Sequence, residues 1–226
     1  MKKKIILLIL AFVSLLTYAQ DRKIKVACVG NSVTYGYLLP DRELNCYPSQ
    51  LQKMLGTQYE VRNYGKSGST LLAKGHRPYI EQQEYRDALE YSADIVIIHL
   101  GLNDTDPRNW PNHRDSFFGD YLDLINSLKK VNANAKIWIC RMSPITHKHP
   151  RFVSGTRDWY RQIQQAIEQI AEYANVGIID LEEPLYNRPD LLPDALHPNT
   201  EGAGIIARSI FSTLREVRRT TALTPI

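Results

Sequence analysis

The chain has little cysteine: three residues in 226, too few for a disulfide scaffold. An odd number also leaves at least one thiol unpaired. Cys28, Cys46 and Cys140 lack the paired spacing of a zinc site. Cys28 and Cys140 lie inside apolar runs, KVACVG and KIWICR, and read as packed core residues. No base surrounds these thiols, so none is expected to be catalytic. Excess charge of one sign is scarce too. Lys2, Lys3 and Lys4 supply most of the formal net charge of +4, and without them the chain is close to neutral. That excludes the basic footprint of a nucleic-acid binder. There is no Pro/Ser/Gly-rich linker, no internal repeat and no low-complexity segment.

Long hydrophobic runs are confined to the N-terminus. MKKKIILLILAFVSLLTYA has a basic start, an apolar stretch from Ile5 to Leu16, and Thr17-Tyr18-Ala19 before Gln20. This matches a secretory signal peptide cleaved after Ala19. The stretch is shorter than the about 20 residues that span a bilayer, and no Cys follows to carry a lipid. Residues 1–19 are therefore expected to be a signal peptide, and the mature chain to be periplasmic or secreted without a membrane anchor. Residues 20–226 are expected to form one domain, its body running from Asp21 to Arg219, with Thr220 to Ile226 a loose tail.

What is present is alternation. Lys25 to Gly30, Tyr59 to Tyr64, Ala93 to Gly101, Ala135 to Arg141 and Val176 to Leu181 are short Val/Ile-rich runs. Continuous apolar runs suit strands covered on both faces. Between them, Phe117, Phe118, Tyr121, Leu124, Ile125 and Leu128 form a helical stripe. Tyr160, Ile163, Ile167, Ile170 and Ala174 form another, and Ile206, Ile210, Leu214 and Val217 a third. Strand and helix alternating about five times predict an α/β fold, an open parallel sheet between helical layers. Two connections, Ser67 to Tyr85 and Met142 to Asp158, are longer than tight turns need.

In a parallel sheet all strand C-termini share one edge, where ligands bind. Four polar segments fall there. Gly30-Asn31-Ser32-Val33-Thr34-Tyr35-Gly36 places a serine at a strand-to-helix turn; alone, Ser32 reads as a helix cap. Asn63-Tyr64-Gly65-Lys66-Ser67-Gly68-Ser69-Thr70 is a glycine turn, by itself an ordinary surface turn. Gly101-Leu102-Asn103-Asp104 presents an amide suited to an oxygen that gains charge in a transition state. Asp104 reads as structural, a cap for the next helix. In Asp194-Ala195-Leu196-His197-Pro198 the carboxylate can accept the imidazole Nδ1–H and leave Nε2 as a base. Pro198 suits the first turn of the last helix.

Together these blocks, GNSVTYG, NYGKSG, GLND and DALHP, resemble those of the SGNH hydrolases, the GDSL-like esterase superfamily. The resemblance covers nearly the whole chain after residue 19. It implies a three-layer α/β/α sandwich around a central five-stranded parallel sheet, the flavodoxin-like fold of that superfamily. It implies Ser32 as nucleophile, His197 as general base and then acid, and Asp194 orienting His197. The backbone amides of Ser32 and Gly68 and the side-chain amide of Asn103 would form the oxyanion hole. No metal or organic cofactor is needed for such chemistry. One departure stands out: Asn31 occupies a position where the family usually has Asp.

The resemblance extends to the carbohydrate-directed branch, which removes acetyl groups from glycans. Gly101 to Trp110 is similar to bacterial sialate O-acetylesterases. A sugar-acid carboxylate would suit Arg108, Arg141 or Arg151, although each also reads as a partner in a surface or loop ion pair. His76, His147 and His149 read as polar loop residues able to line a pocket, and Trp159 as packed. The expected partner is an acetylated glycan or sugar, with no nucleic acid. The competing readings are a lipid or lysophospholipid esterase of the same family and a glycan-binding module that lacks the reaction.

Overall fold

The computed structural model describes residues 22–150 and 156–222. The signal segment 1–19, Arg151 and most of the expected tail lie outside the described residues. Five strands alternate with helices: β1 (Ile24–Gly30), α1 (Ser32–Tyr35), α2 (Arg42–Asn45), α3 (Tyr47–Leu55), β2 (Tyr59–Gly65), α4 (Gln83–Tyr91), β3 (Ile95–His99), α5 (Trp110–His113), α6 (Phe117–Val131), β4 (Lys136–Arg141), α7 (Thr156–Tyr173), β5 (Gly177–Asp180) and α8 (Thr200–Ala222). The strands form one sheet in the order β2-β1-β3-β4-β5, and every neighbouring pair is parallel.

Strand order and chain handedness together place the helices. The chain moves from β1 outward to β2, then returns across β1 to β3 and continues to β4 and β5. Right-handed crossovers put the helix of the first move on one face and those of the reverse moves on the other. Accordingly α3 packs with α8 on one face, while α4, α6 and α7 pack on the opposite one. This is the expected three-layer sandwich. The direction reverses between β1 and β3, so their following loops leave toward opposite faces, the kind of switch point at which open α/β sheets bind ligands. The C-terminal residue of β1, Gly30, is level with Gly65 of β2 and His99 of β3, so the loops after these strands start from one line.

The three helical stripes all meet the core. Phe117, Tyr121, Leu124, Ile125 and Leu128 of α6 are buried, as are Ile163, Ile167 and Ile170 of α7 and Ile206, Ile210 and Leu214 of α8. Truncating one such residue to Ala typically costs about 2–5 kcal/mol. Cys28, Cys46 and Cys140 are free and buried, and burial raises the Cys28 and Cys140 thiols above their ordinary range.

Four expectations need correction. β3 ends at His99 rather than Gly101. Gly101 instead turns the chain at φ +117°, where a Cβ would stand 2.7 Å from Met142 Sδ. β5 is a sheet edge and is not covered on both faces, with Ile178 exposed. Its apolar run buries one face, at Ile179 and Leu181, rather than two. Pro198 lies two residues before α8, and Asn199 caps that helix by accepting the Gly202 N–H at 2.9 Å. Finally, Thr220 to Ala222 continue α8 rather than belonging to a loose tail.

Candidate active site

The Ser32 turn is built by what surrounds it. Asn31 Oδ1 accepts the Val33 N–H at 3.0 Å, so Asn31, and not Ser32, caps α1. The hydroxyl of Ser32 is thereby left for another partner. Gly36 closes the single helical turn in the left-handed region at φ +89°. The end of β2 passes directly beneath: a Cβ on Gly65 would lie 2.2 Å from the Tyr35 nitrogen, a collision with backbone that side-chain motion cannot relieve.

His197 comes from the loop before α8. Asp194 Oδ1 accepts the backbone N–H of His197 at 2.7 Å and of Leu196 at 3.1 Å. Its other oxygen is 2.6 Å from His197 Nδ1. Because a carboxylate only accepts, the proton between them sits on Nδ1 in the neutral ring. Nε2 is then the acceptor, 2.8 Å from Ser32 Oγ. Burial pushes the Asp194 carboxyl up, but the bonds from the His197 ring and backbone outweigh it and hold the carboxyl below its ordinary value. Ala195 adopts φ +71°, an uncommon conformation for a residue with a side chain. Its carbonyl accepts the Thr146 N–H at 2.9 Å, which ties the long loop after β4 to the His197 turn. The Tyr37 ring packs against the imidazole at 4.9 Å between centroids.

The third part is the pair of loops after β2 and β3. Gly68 turns at φ +82°, where a Cβ is disfavoured. Asn103 donates from Nδ2 to the Ser69 carbonyl at 2.9 Å, which fixes the amide plane and leaves its second N–H available. Among the described residues no group accepts from the backbone N–H of Ser32 or Gly68. These two backbone N–H groups and the second Asn103 N–H are thus left without an acceptor among the described residues. Asp104 is structural, though not as a helix cap: it accepts the N–H groups of Leu71 and Leu72 at 3.0 and 2.8 Å. Burial raises its carboxyl to about 6 against the pull of those two bonds.

Asn109, which sequence reasoning did not single out, locks this corner. It is fully buried. Its Nδ2 reaches the Asn103 carbonyl at 2.7 Å and His76 Nδ1 at 2.9 Å, and its Oδ1 accepts the His76 N–H at 2.9 Å. The side chain of Asn109 therefore holds the loops after β2 and β3 in one geometry. The available signal was its place six residues after Asn103; its partners are visible only in three dimensions.

The remaining residues divide. Arg108 is paired with Asp106, and Arg141 with Glu168, Asp180 and Glu182, so neither guanidinium is unpaired. Trp159 packs against the core. His147 lines a cavity of about 300 Å³ with Tyr160, Tyr186 and Arg161. A larger recess of about 780 Å³ follows the outer edge of β2, lined by Arg62, Glu90 and Tyr91 among others, and contains none of Ser32, Asn103 or His197. Its size does not make it the site, because no nucleophile and base meet there.

The fold thus brings a serine, an imidazole and a carboxylate into one hydrogen-bonded chain at the edge where the strands end. Residues 28–205 match the sequence model of the GDSL-like Lipase/Acylhydrolase family, and the chain belongs to that family, within the SGNH hydrolases. An acetylxylan esterase of Xylanibacter ruminicola is 34% identical over 214 residues, covering 87% of this chain and 44% of that protein. The chain therefore spans less than half the length of this relative. Among solved structures, an aryl esterase of M. smegmatis has a TM-score of 0.68 at 18% identity, covering 85% of this chain and 99% of that one. A carbohydrate acetylesterase from Sinorhizobium meliloti gives 0.67 at 16%, with 86% and 100% covered. These two likenesses are of fold.

Proposed function

We propose that this chain is a serine esterase that removes O-acetyl groups from carbohydrates. The observation that carries this reading is the relay Ser32 Oγ to His197 Nε2 at 2.8 Å and His197 Nδ1 to Asp194 at 2.6 Å. Ser32 Oγ attacks the acetyl carbonyl carbon while His197 Nε2 takes its proton. The carbonyl oxygen becomes an oxyanion and accepts from the backbone N–H groups of Ser32 and Gly68 and from Asn103 Nδ2. His197 returns the proton to the departing sugar oxygen, leaving an acetyl-enzyme. Water, deprotonated by His197, then attacks the acetyl carbon, and acetate leaves as Ser32 regains its proton.

The acetylxylan esterase relative supports a glycan ester as substrate. Sialic acid O-acetyl groups are the narrower alternative. Two of the arginines considered for them, Arg108 and Arg141, are engaged by acids. The same reading has the chain exported, to the periplasm or beyond, on the strength of residues 1–19. N-terminal sequencing of the exported form should begin at Gln20.

The deciding experiment is acetate release from acetylated xylan, and p-nitrophenyl acetate turnover, by the protein and by Ser32→Ala. The expected loss in kcat is about 10³-fold or more. Equal rates would instead favour a binding module on this fold.

A further inference from the structure

Beside the oxyanion donors stands an arginine that the relay does not use. The side chain of Arg77 lies across Gly68: its Cδ and Nη1 are each 3.5 Å from where a Gly68 Cβ would be. Arg77 is exposed, and no carboxylate among the described residues pairs with it. Three acids of the surrounding loops are engaged elsewhere: Asp104 by the N–H groups of Leu71 and Leu72, Asp106 by Arg108, and Glu84 by Lys66.

The segment carrying Arg77 is firmly held. The Arg77 carbonyl accepts the Thr70 N–H at 2.9 Å, and the Tyr79 N–H returns to the Thr70 carbonyl at 2.9 Å. On the other side Asn109 binds the His76 N–H. The guanidinium is thus mounted on a fixed backbone, next to the glycine whose N–H would face the reacting carbonyl. A substrate acetyl group held there would bring its sugar toward a planar cationic fork. Such a fork recognises a carboxylate through two parallel hydrogen bonds.

We propose that Arg77 is a specificity-determining residue that binds a sugar carboxylate near the ester, so that the preferred substrate is an acetylated acidic glycan. This rests on the esterase reading above. The carboxylate can belong to a uronic acid branch or to a sialic acid, and the two sources are separable.

The test compares kcat/KM for three substrates: an acetylated xylo-oligosaccharide bearing a glucuronic acid branch, the same oligosaccharide without the branch, and O-acetylated sialic acid. The native protein should favour an acidic substrate over the neutral one by about 10- to 100-fold, chiefly through KM. Arg77→Ala and Arg77→Gln should abolish that ratio. Arg77→Lys should keep part of it, and added salt should compress it. Whichever acid shows the Arg77-dependent advantage identifies the source. An equal loss on acidic and neutral substrates, or no preference in the native protein, overturns the proposal. Calorimetric titration of the branched oligosaccharide into Ser32→Ala, with and without Arg77→Ala, reads the same contact without turnover. Arg77-dependent binding without any hydrolysis would fail only the esterase reading. Hydrolysis without Arg77-dependent preference fails only this one.

Discussion

Asn103 is fastened to Ser69: its Nδ2 donates to the Ser69 carbonyl at 2.9 Å, so the amide that would meet an oxyanion is oriented by the glycine turn supplying another donor. Losing one oxyanion donor typically costs about 10²–10³ in kcat. Asn103→Ala should show that loss, with KM little changed. The Ser69 carbonyl would also lose its donor, at about 1–3 kcal/mol. Thermal unfolding should therefore fall by a few degrees without loss of fold. Asn103→Asp should be at least as slow, because a carboxylate offers no donor and repels the developing charge. Near-normal kcat in Asn103→Ala would remove this residue from the oxyanion hole.

Asp194 makes three contacts within its own turn, to the backbone N–H groups of Leu196 and His197 and to the His197 ring. Replacing it with Asn gives an amide that must turn an N–H2 toward one of these donors. The ring tautomer is then no longer fixed with Nε2 as acceptor. Asp194→Asn should lower kcat by about 10²–10⁴, with circular dichroism unchanged. A rate within a few-fold of the native protein would mean that the carboxylate only shapes the loop.

Much of this arrangement is readable in the chain because it is local or periodic. The apolar runs of β1 and β3 are buried in the sheet centre as their composition implies. The blocks around Ser32, Asn103 and His197 sit where strand ends put them. What the chain does not display locally is any determinant that is a partner distant in sequence. The run at Val176 to Leu181 does not reveal that β5 lies at the edge, since sheet order is not written in any one strand. Ser32 and Asn31 compete for the cap of α1, and only the distance from Ser32 Oγ to His197 Nε2 shows which one is occupied elsewhere. Asn109 and Arg77 carry no pattern that reveals their partners. The first acts through bonds to two other loops, and the second is distinguished by lying over Gly68.

His99, at the end of β3, couples the fold to pH. It is fully buried, and its Nε2 accepts the Ser143 N–H at 3.1 Å. Burial lowers its pKa from an ordinary value near 6.5 to about 4. The folded protein therefore keeps the ring neutral where the unfolded chain protonates it. This contribution to stability is complete above about pH 6.5 and is lost as pH falls toward 4, by about 2 kcal/mol between about pH 7 and about pH 5. Asp104 acts in the opposite sense. With its carboxyl raised to about 6, the folded state takes up that proton first, and acid favours it. The pH dependence of the intact protein therefore mixes the two, and a substitution separates them. His99→Gln retains an acceptor for the Ser143 N–H and does not titrate. Urea unfolding at both pH values should show His99→Gln losing less stability, or gaining more, on acidification than the native protein, by about that 2 kcal/mol. Parallel changes in the two proteins would show that the ring is not held neutral by the fold.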